Sequence, residues 1–321
     1  MASRLIVCLA IVISLSGCDA RNPSTARPKM TFGVSMSTFT SPYASAAVKE
    51  FKRFAREKGY GLIILDAQND IQREAFNVDN LMAKRVDAIL VNAVDAKGSR
   101  ASLRKAARRG FIVTCFNSNV DNPEALGIRA YSGPQYYEQA VTAAKVALAS
   151  RPKGNAVIIT GDPGYDATTK REKGFTDTIA RAAAGTTLLD IQTGNWMREN
   201  AQRVMSDFIT KYGTKIDIVY GENDDMTAGA VNALKAAGYT LADKPLVISI
   251  GAMADGLPLV EEGWIDSTIM QSPKEDSQLA IEVAIKIIQR EQTEPYQDYF
   301  LETMPVTKTN VQQVMAMHLW D

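Results

Sequence analysis

"MTFGVSMSTFTSPYASAAVKEFKRFAREKG", residues 30–59, changes its period halfway along. "MTFGV" is a short apolar run of the kind that forms a buried strand. Ser35, Ser37, Thr38, Thr40 and Ser41 follow, with Phe39 and Tyr43 among them. After Pro42 the apolar positions Ala44, Ala47, Val48, Phe51, Phe54 and Ala55 share one helical face, and Gly59 stops the pattern. The order is strand, polar connection, helix. One hydroxyl suffices to cap a helix that starts with proline. The surplus of hydroxyls and the two rings predict a surface that touches something small and polar.

The unit recurs. "GLIILDA" (61–67), "DAILVN" (87–92) and "FIVTCFN" (111–117) are spaced by helical stretches at about 70–85 and 97–109. After residue 135, helices near 136–150, 168–184, 199–212 and 227–237 alternate with "NAVIIT", "TTLLDIQ", "IDIVYG" and "PLVISIG". Such alternation implies parallel sheets covered by helices on both faces, and the near-continuous apolar strands agree. About nine strands exceed what one open sheet usually holds. "NVDNPEALGIRAYSGPQ" (119–135) has the composition of a connection between two similar halves. The predicted class is α/β, with two doubly wound parallel-sheet lobes.

Open α/β sheets bind ligands outside the carboxyl ends of their strands. Here those ends carry Ser35 and Ser37, Gln68 and Asn69, Asn92, Asn117, Asp162, Trp196 and Asn223. Amides and hydroxyls both donate and accept, which suits a small, largely neutral ligand with many hydroxyls.

Lys and Arg total 36, as do Asp and Glu, so the formal net charge is zero and argues against nucleic acid as partner. The one histidine, His318, provides no cluster for a metal or a His-based triad. No cofactor is expected. At the N-terminus, "LIVCLAIVISLSG" is an apolar run of about 13 residues, the length of a signal-peptide core and short for a membrane span. It ends in "LSGC", which resembles a bacterial lipobox with Cys18 as the lipidated residue, and Asp19 after it resembles an inner-membrane retention signal. Cys115 would then be the one thiol left in the folded domain. Residues 19–29, "DARNPSTARPK", read as a flexible tether.

"YGLIILDAQND", "VDAILVNAVDA", "GFIVTCFNSN", Arg171 to Phe175, "YGENDDMTAGAVNALKAAG" and "STIMQSP" resemble, in order and spacing, the type I periplasmic sugar-binding proteins of the ribose and galactose group. The likeness spans about residues 30–310. It implies a hinge of three crossovers near 131–134, 270–273 and 297–300. It divides the chain into 1–18 (signal peptide), 19–29 (tether), 30–132 plus 273–298 (N-terminal lobe) and 133–272 plus 299–321 (C-terminal lobe). It further implies a monomer that closes on a sugar or polyol, docks on ABC permease subunits, and works in the periplasm, lipid-anchored to the inner membrane. Ser37, Ser41, Asn92, Asn223 and Gln271 match positions that hydrogen-bond sugar hydroxyls, Arg171 a guanidinium that does the same, and Tyr43 and Trp196 aromatics that stack on the ring.

The chain departs from the ribose pattern in three places. Asn117-Ser118 stands where that pattern has Asp-Arg, Ile250-Gly251 where it has Phe-Asp, and Asp162 where an apolar contact is usual. Charged hydrogen bonds are about twice as strong as neutral ones, so ribose itself is not expected; another monosaccharide, an amino sugar or a sugar alcohol is. A transport role and a sensing role use the same closed form and stay open here. A repressor would need a helix-turn-helix in place of the signal sequence, and no nucleophile with its base suggests an enzyme. As cleft residues, Arg171 and Trp196 are expected to matter for binding and little for stability. The C-terminal "QVMAMHLWD" is expected to pack on the second lobe.

Overall fold

The structure, a computed structural model, describes residues 30–182 and 185–320. The signal sequence, Cys18 and the tether lie outside the described residues.

The first half runs β1 (Thr31–Met36), α1 (Pro42–Lys58), β2 (Gly61–Asp66), α2 (Ile71–Ala83), β3 (Ala88–Val91), α3 (Arg100–Arg108), β4 (Ile112–Phe116) and β5 (Ala130–Gly133). The second runs α4 (Tyr136–Ser150), β6 (Gly154–Thr160), α5 (Asp166–Arg181), β7 (Thr186–Thr193), α6 (Arg198–Tyr212), β8 (Ile218–Gly221), α7 (Asp224–Ala236), β9 (Leu246–Gly251), α8 (Gly256–Glu262) and β10 (Ser267–Met270). α9 (Pro273–Ile288), β11 (Gln297–Phe300), β12 (Pro305–Val306) and α10 (Val311–Met315) complete the chain.

The strands form two sheets of six, ordered β11-β5-β4-β3-β1-β2 and β12-β10-β9-β8-β6-β7. All neighbours are parallel except β12, which runs antiparallel to β10. In each sheet the first strand in chain order, β1 or β6, lies between the next two, so the winding reverses beside it. That reversal leaves a crevice at the carboxyl ends.

Each sheet is buried on both faces because its strands are apolar at successive positions. In β6, Val157 and Ile159 pack with α6 and α7, while Ile158 faces Ala140, Ala144 and Phe175 of α4 and α5. The alternation is that of a pleated strand. In the first lobe, Phe32 and Val34 of β1 meet Phe51 of α1 and Ile281 of α9. α9 therefore belongs to the first lobe, where Ser277 Oγ donates to the Ala47 carbonyl at 3.3 Å and Gln278 Nε2 to Glu50 at 2.6 Å.

The chain crosses between lobes three times, after β5, after β10 and after β11. The third crossing falls at residues 301–304, later than the 297–300 expected, because 297–300 pair with β5 as the sixth strand of the first sheet. The first-lobe segment accordingly runs past residue 298. The C-terminal segment packs on the second lobe through Val311, Val314 and Leu319.

Candidate ligand-binding cleft

The carboxyl ends of the two sheets face a common cleft of about 810 Å³, open mouth included. The backbone around it is unusual. Gln68 and Asn69 after β2, Asn117 after β4, Asn195 and Trp196 after β7, and Ala252 after β9 all have left-handed φ between 51° and 59°. Such conformations cost energy in residues with a Cβ and cluster at functional sites.

In the first-lobe wall, Ser41 is the N-cap of α1, its Oγ accepting from the Ala44 N–H at 3.2 Å. It also lines the cleft, as do Ser37, Tyr43 and Asn117. Ser37 Oγ donates to Asn92 Oδ1 at 2.6 Å. Asn92, 1% exposed, is absent from the cleft lining and sits one layer behind it. It is hydrogen-bonded to two residues that do line the cleft, Ser37 and Tyr165. The Tyr43 hydroxyl donates to Asp276 Oδ2 at 2.5 Å, and Asn117 Nδ2 donates to the same oxygen at 3.2 Å.

In the second-lobe wall, Asp162, Arg171, Trp196, Asn223 and Gln271 all line the cleft. Asn223 caps α7, its Oδ1 accepting from the Met226 N–H at 2.8 Å. Arg171 is a hub. Its Nη1 donates to the Glu222 carbonyl (2.7 Å), and its Nη2 to Gln139 Oε1 (3.0 Å) and Gln271 Oε1 (2.7 Å). Its guanidinium lies 4.8 Å from the centre of the Tyr136 ring. With 3% exposure and this many partners, Arg171 holds the second lobe together as well as lining its wall. The expectation that it contributes little to stability is corrected on that ground. Trp196 rests against Gly161, where any Cβ would collide with its ring. Asp162 is half-buried, and burial raises its carboxyl above the usual range.

Two residues not singled out from the sequence, Tyr165 and Tyr136, and a third, Trp320, expected only to pack on the second lobe, complete the arrangement. Tyr165, in the second lobe, crosses to the first: its hydroxyl accepts from Asn92 Nδ2 at 2.8 Å, and its ring meets Trp196 edge-on at 6.0 Å. The adjacent Gly164 carbonyl accepts from the Ala96 N–H at 3.2 Å. Tyr136, beside the first crossing, donates its hydroxyl to the Asn117 carbonyl. Trp320 donates Nε1 to the Gly251 carbonyl at 3.3 Å and meets Tyr43 edge-on across the cleft at 6.3 Å. The chain tail thus packs on the second lobe, as expected, and also supplies a ring to the cleft. Trp320 lines both the cleft and a groove outside it that includes Lys49 and Asp255. Deleting residues 320–321 should open that rim and weaken ligand binding about tenfold, as loss of aromatic contact implies, with the ligand-free melting temperature little changed. Calorimetry and a melting curve check both halves; unchanged affinity would remove Trp320 from the site.

Among the described residues, the buried carboxyls of Asp276 and Glu74 have no cation beside them. Burial pushes Asp276 up to about 7, against the hydrogen bonds from Tyr43 and Asn117. Burial pushes Glu74 up to about 7 as well, with the Val94 N–H bond at 2.8 Å opposing. In an unfolded chain both ionise at about 4. Each therefore favours the fold while protonated, and that contribution is lost as pH rises from about 4 through 7. Ligand-free protein should be more stable at pH 5 than at pH 8 by about 1 kcal/mol or more, and Asp276→Asn combined with Glu74→Gln should flatten the difference. Urea melts across that range would expose the opposite slope.

Among described residues there is no cluster of His, Cys, Asp and Glu that could hold a metal, and Cys115 is buried with its thiol pushed up by desolvation.

Comparison with known proteins agrees with this architecture. The profile of the family described as periplasmic binding protein domain matches residues 32–292. A xylitol-binding protein of Mycolicibacterium smegmatis is 27% identical over 305 residues, 94% of this chain and 84% of that one. The structure of an ABC transporter periplasmic solute binding protein from Actinobacillus succinogenes, with bound D-allose, has a TM-score of 0.80 at 27% identity over 89% of this chain and 100% of that one. An ABC transporter solute binding protein from Bacillus halodurans, with bound myo-inositol, has a TM-score of 0.82 at 26% identity over 92% of this chain and 100% of that one. Two wound sheets, a cleft at their facing switch points and a profile match over most of the chain have one reading: this chain belongs to the periplasmic binding protein domain family.

Proposed function

We propose that this chain is the solute-binding component of an ABC-type importer, holding a monosaccharide or sugar alcohol between its lobes and delivering it to a membrane permease. One observation carries the proposal: both lobes contribute hydroxyls, amides and aromatic rings to a single cleft. Apolar sugar faces suit the rings, and the hydroxyl rim suits planar amides and the guanidinium. The ligands bound by the similar proteins, D-allose and myo-inositol, are of that class. Ser37, Ser41, Tyr43, Asn117, Asp162, Arg171, Trp196, Asn223 and Gln271 are the proposed contacts, with Asn92 behind them. Closure follows when a ligand held from both sides binds the closed form better than the open one.

A thermal-shift screen of monosaccharides and polyols tests this. A ligand at a hundredfold excess over its Kd adds about 2.7 kcal/mol to stability. A panel in which sugars and polyols leave the melting temperature unmoved while amino acids or purines raise it would overturn the proposal.

The protein acts in the periplasm as a monomer, held to the inner membrane through Cys18. "LSGC" at the end of a short apolar core supports the anchor. A single acyl chain binds membranes only marginally, so multiple acylation is required. Cys18→Ser should abolish lipidation and release the protein from the membrane fraction. Mass spectrometry showing an unmodified mature N-terminus in the unmutated protein would end that part of the proposal.

A further inference from the structure

One stretch of the second lobe reaches across to the first. Residues 161–165 connect β6 to α5. They are held in their own lobe by the Gly161 N–H, which donates to Glu222 Oε2 at 2.8 Å, and by the Tyr165 ring, edge-on to Trp196 at 6.0 Å. Their far end touches the first lobe. The Tyr165 hydroxyl accepts from Asn92 Nδ2 at 2.8 Å and donates to Asn117 Oδ1 at 3.4 Å. The Gly164 carbonyl accepts from the Ala96 N–H at 3.2 Å. Gly164 itself, at φ 87°, lies so close to Asp95 Oδ2 that a Cβ there would collide with the carboxylate.

The receiving surface is fixed by its own lobe. Asn92 Oδ1 accepts from the Ser37 N–H at 3.3 Å and from Ser37 Oγ at 2.6 Å, which turns Nδ2 toward Tyr165. The loop after Asn92 is tied down as well. The Val94 N–H donates to buried Glu74 at 2.8 Å, and the Lys97 and Gly98 N–H groups donate to Asp95 Oδ1 at 2.9 and 2.6 Å. The Ala96 carbonyl accepts from the Asp121 N–H at 2.8 Å. Two ordered surfaces therefore meet, and little ordering has to be supplied when they do.

These contacts lie beside the cleft lining. Asn92, Asp95, Ala96 and Gly164 do not line the cleft. Tyr165 does, but its hydroxyl proton goes to Asn117 and one of its lone pairs to Asn92. What links such contacts to a ligand is the position of the lobes. A contact made only when the lobes are together favours that form, and a ligand held from both sides leaves it more slowly.

Resting on the ligand-binding reading of the cleft, we infer that Gly164 and Tyr165 form a latch, received by Asn92, Asp95 and Ala96, that holds the two lobes together over a bound ligand and slows its release. Asn92 is a positioning residue in this scheme. It presents its amide nitrogen to the Tyr165 hydroxyl rather than to the ligand. Glycine at residue 164 lets the carbonyl reach Ala96 without a side chain meeting Asp95.

Two experiments test the latch. The first needs no ligand. A Cβ at residue 164 stands 3.5 Å from Asp95 Cγ, near where a cysteine sulfur at residue 95 would lie. Asp95→Cys with Gly164→Cys removes the carboxylate and should form a disulfide between the two positions on oxidation. Mass spectrometry of the linked peptides follows its formation, and adding Tyr165→Phe should slow it about fivefold. No linkage, or an unchanged rate, would overturn the inference. The second experiment is calorimetry with stopped-flow dissociation, using D-allose and myo-inositol as probes. Tyr165→Phe keeps the ring and loses the hydroxyl. It should weaken binding about tenfold, through faster release. In an Asn92→Leu background the same change should cost almost nothing, because the hydroxyl's partner is already gone. An equal cost in both backgrounds would put the hydroxyl on the ligand and sink the latch. If Asn92→Leu does not fold, the crosslinking rates decide. Linkage as expected, with neither probe nor any other sugar or polyol bound, would overturn the polyol reading and leave the latch standing.

Discussion

Arg171→Ala is expected to lower ligand affinity about a hundredfold or more and, in the absence of ligand, to cost about 3 kcal/mol of stability. The two losses have one origin. The guanidinium satisfies the Glu222 carbonyl, Gln139 and Gln271, all buried or nearly so. It is also an attractive charge for the buried Glu222 carboxyl, whose ionised form burial disfavours. Alanine leaves these groups without partners and opens a space beside Tyr136. Gln271, no longer held, cannot present its amide to a ligand. Arg171→Lys should recover little of either loss, because one ammonium cannot reproduce a planar fork of donors. Calorimetry and urea denaturation of the ligand-free protein separate the effects. Stability equal to wild type would show the network to be dispensable to the lobe, and equal affinity would place the ligand away from Arg171.

Gly161→Ala, a change of one methyl group, should weaken binding about as much as Trp196→Ala does. A Cβ at residue 161 would collide with the six-membered ring of Trp196, so the ring must leave its seat. Trp196 has little freedom to adjust. Its φ is 59°, that of Asn195 is 52°, and the Met197 N–H is tied to the Gly194 carbonyl at 2.9 Å. Displacing the indole removes the stacking face of the second lobe and its edge contact with Tyr165. The expected loss is about 2 kcal/mol of binding free energy, roughly thirtyfold in Kd. Stability should fall less than for Arg171→Ala, since Trp196 is only partly buried against the lobe core. Tryptophan fluorescence should report the altered setting of the ring. Wild-type affinity in Gly161→Ala would mean that the indole does not touch the ligand.

The architecture was legible in residues 30–59 and their repeats because the alternation of strand and helix is local. Apolar runs bounded by turn residues mark strands buried on both faces, and a 3.6-residue apolar spacing marks the helices that cover them. Strand ends are local as well, so Ser37, Asn117, Asp162 and Asn223 could be placed at the cleft from sequence. Asn92 is buried and set back from the lining residues. It stands at a strand end, but the hydroxyl of Ser37 lies between it and the cleft, and no periodicity encodes that order.

What tertiary structure alone decided is how distant segments meet. Asp276 lies 233 residues from Tyr43 in the chain and 2.5 Å from its hydroxyl, because the second crossing returns α9 to the first lobe beside α1. Trp320 comes 69 residues after Gly251 and hydrogen-bonds to it, because α10 and Leu319 anchor the chain tail on the second-lobe core. Arg171 was visible as a cleft candidate, but its weight in the lobe was not, since Gln139, Glu222 and Gln271 reach it from three separate segments. Local pattern sets which residues stand at the ends of strands. Which of their protons are already spent, and which charges are left buried without partners, depends on non-local packing, and that decides what the cleft can hold.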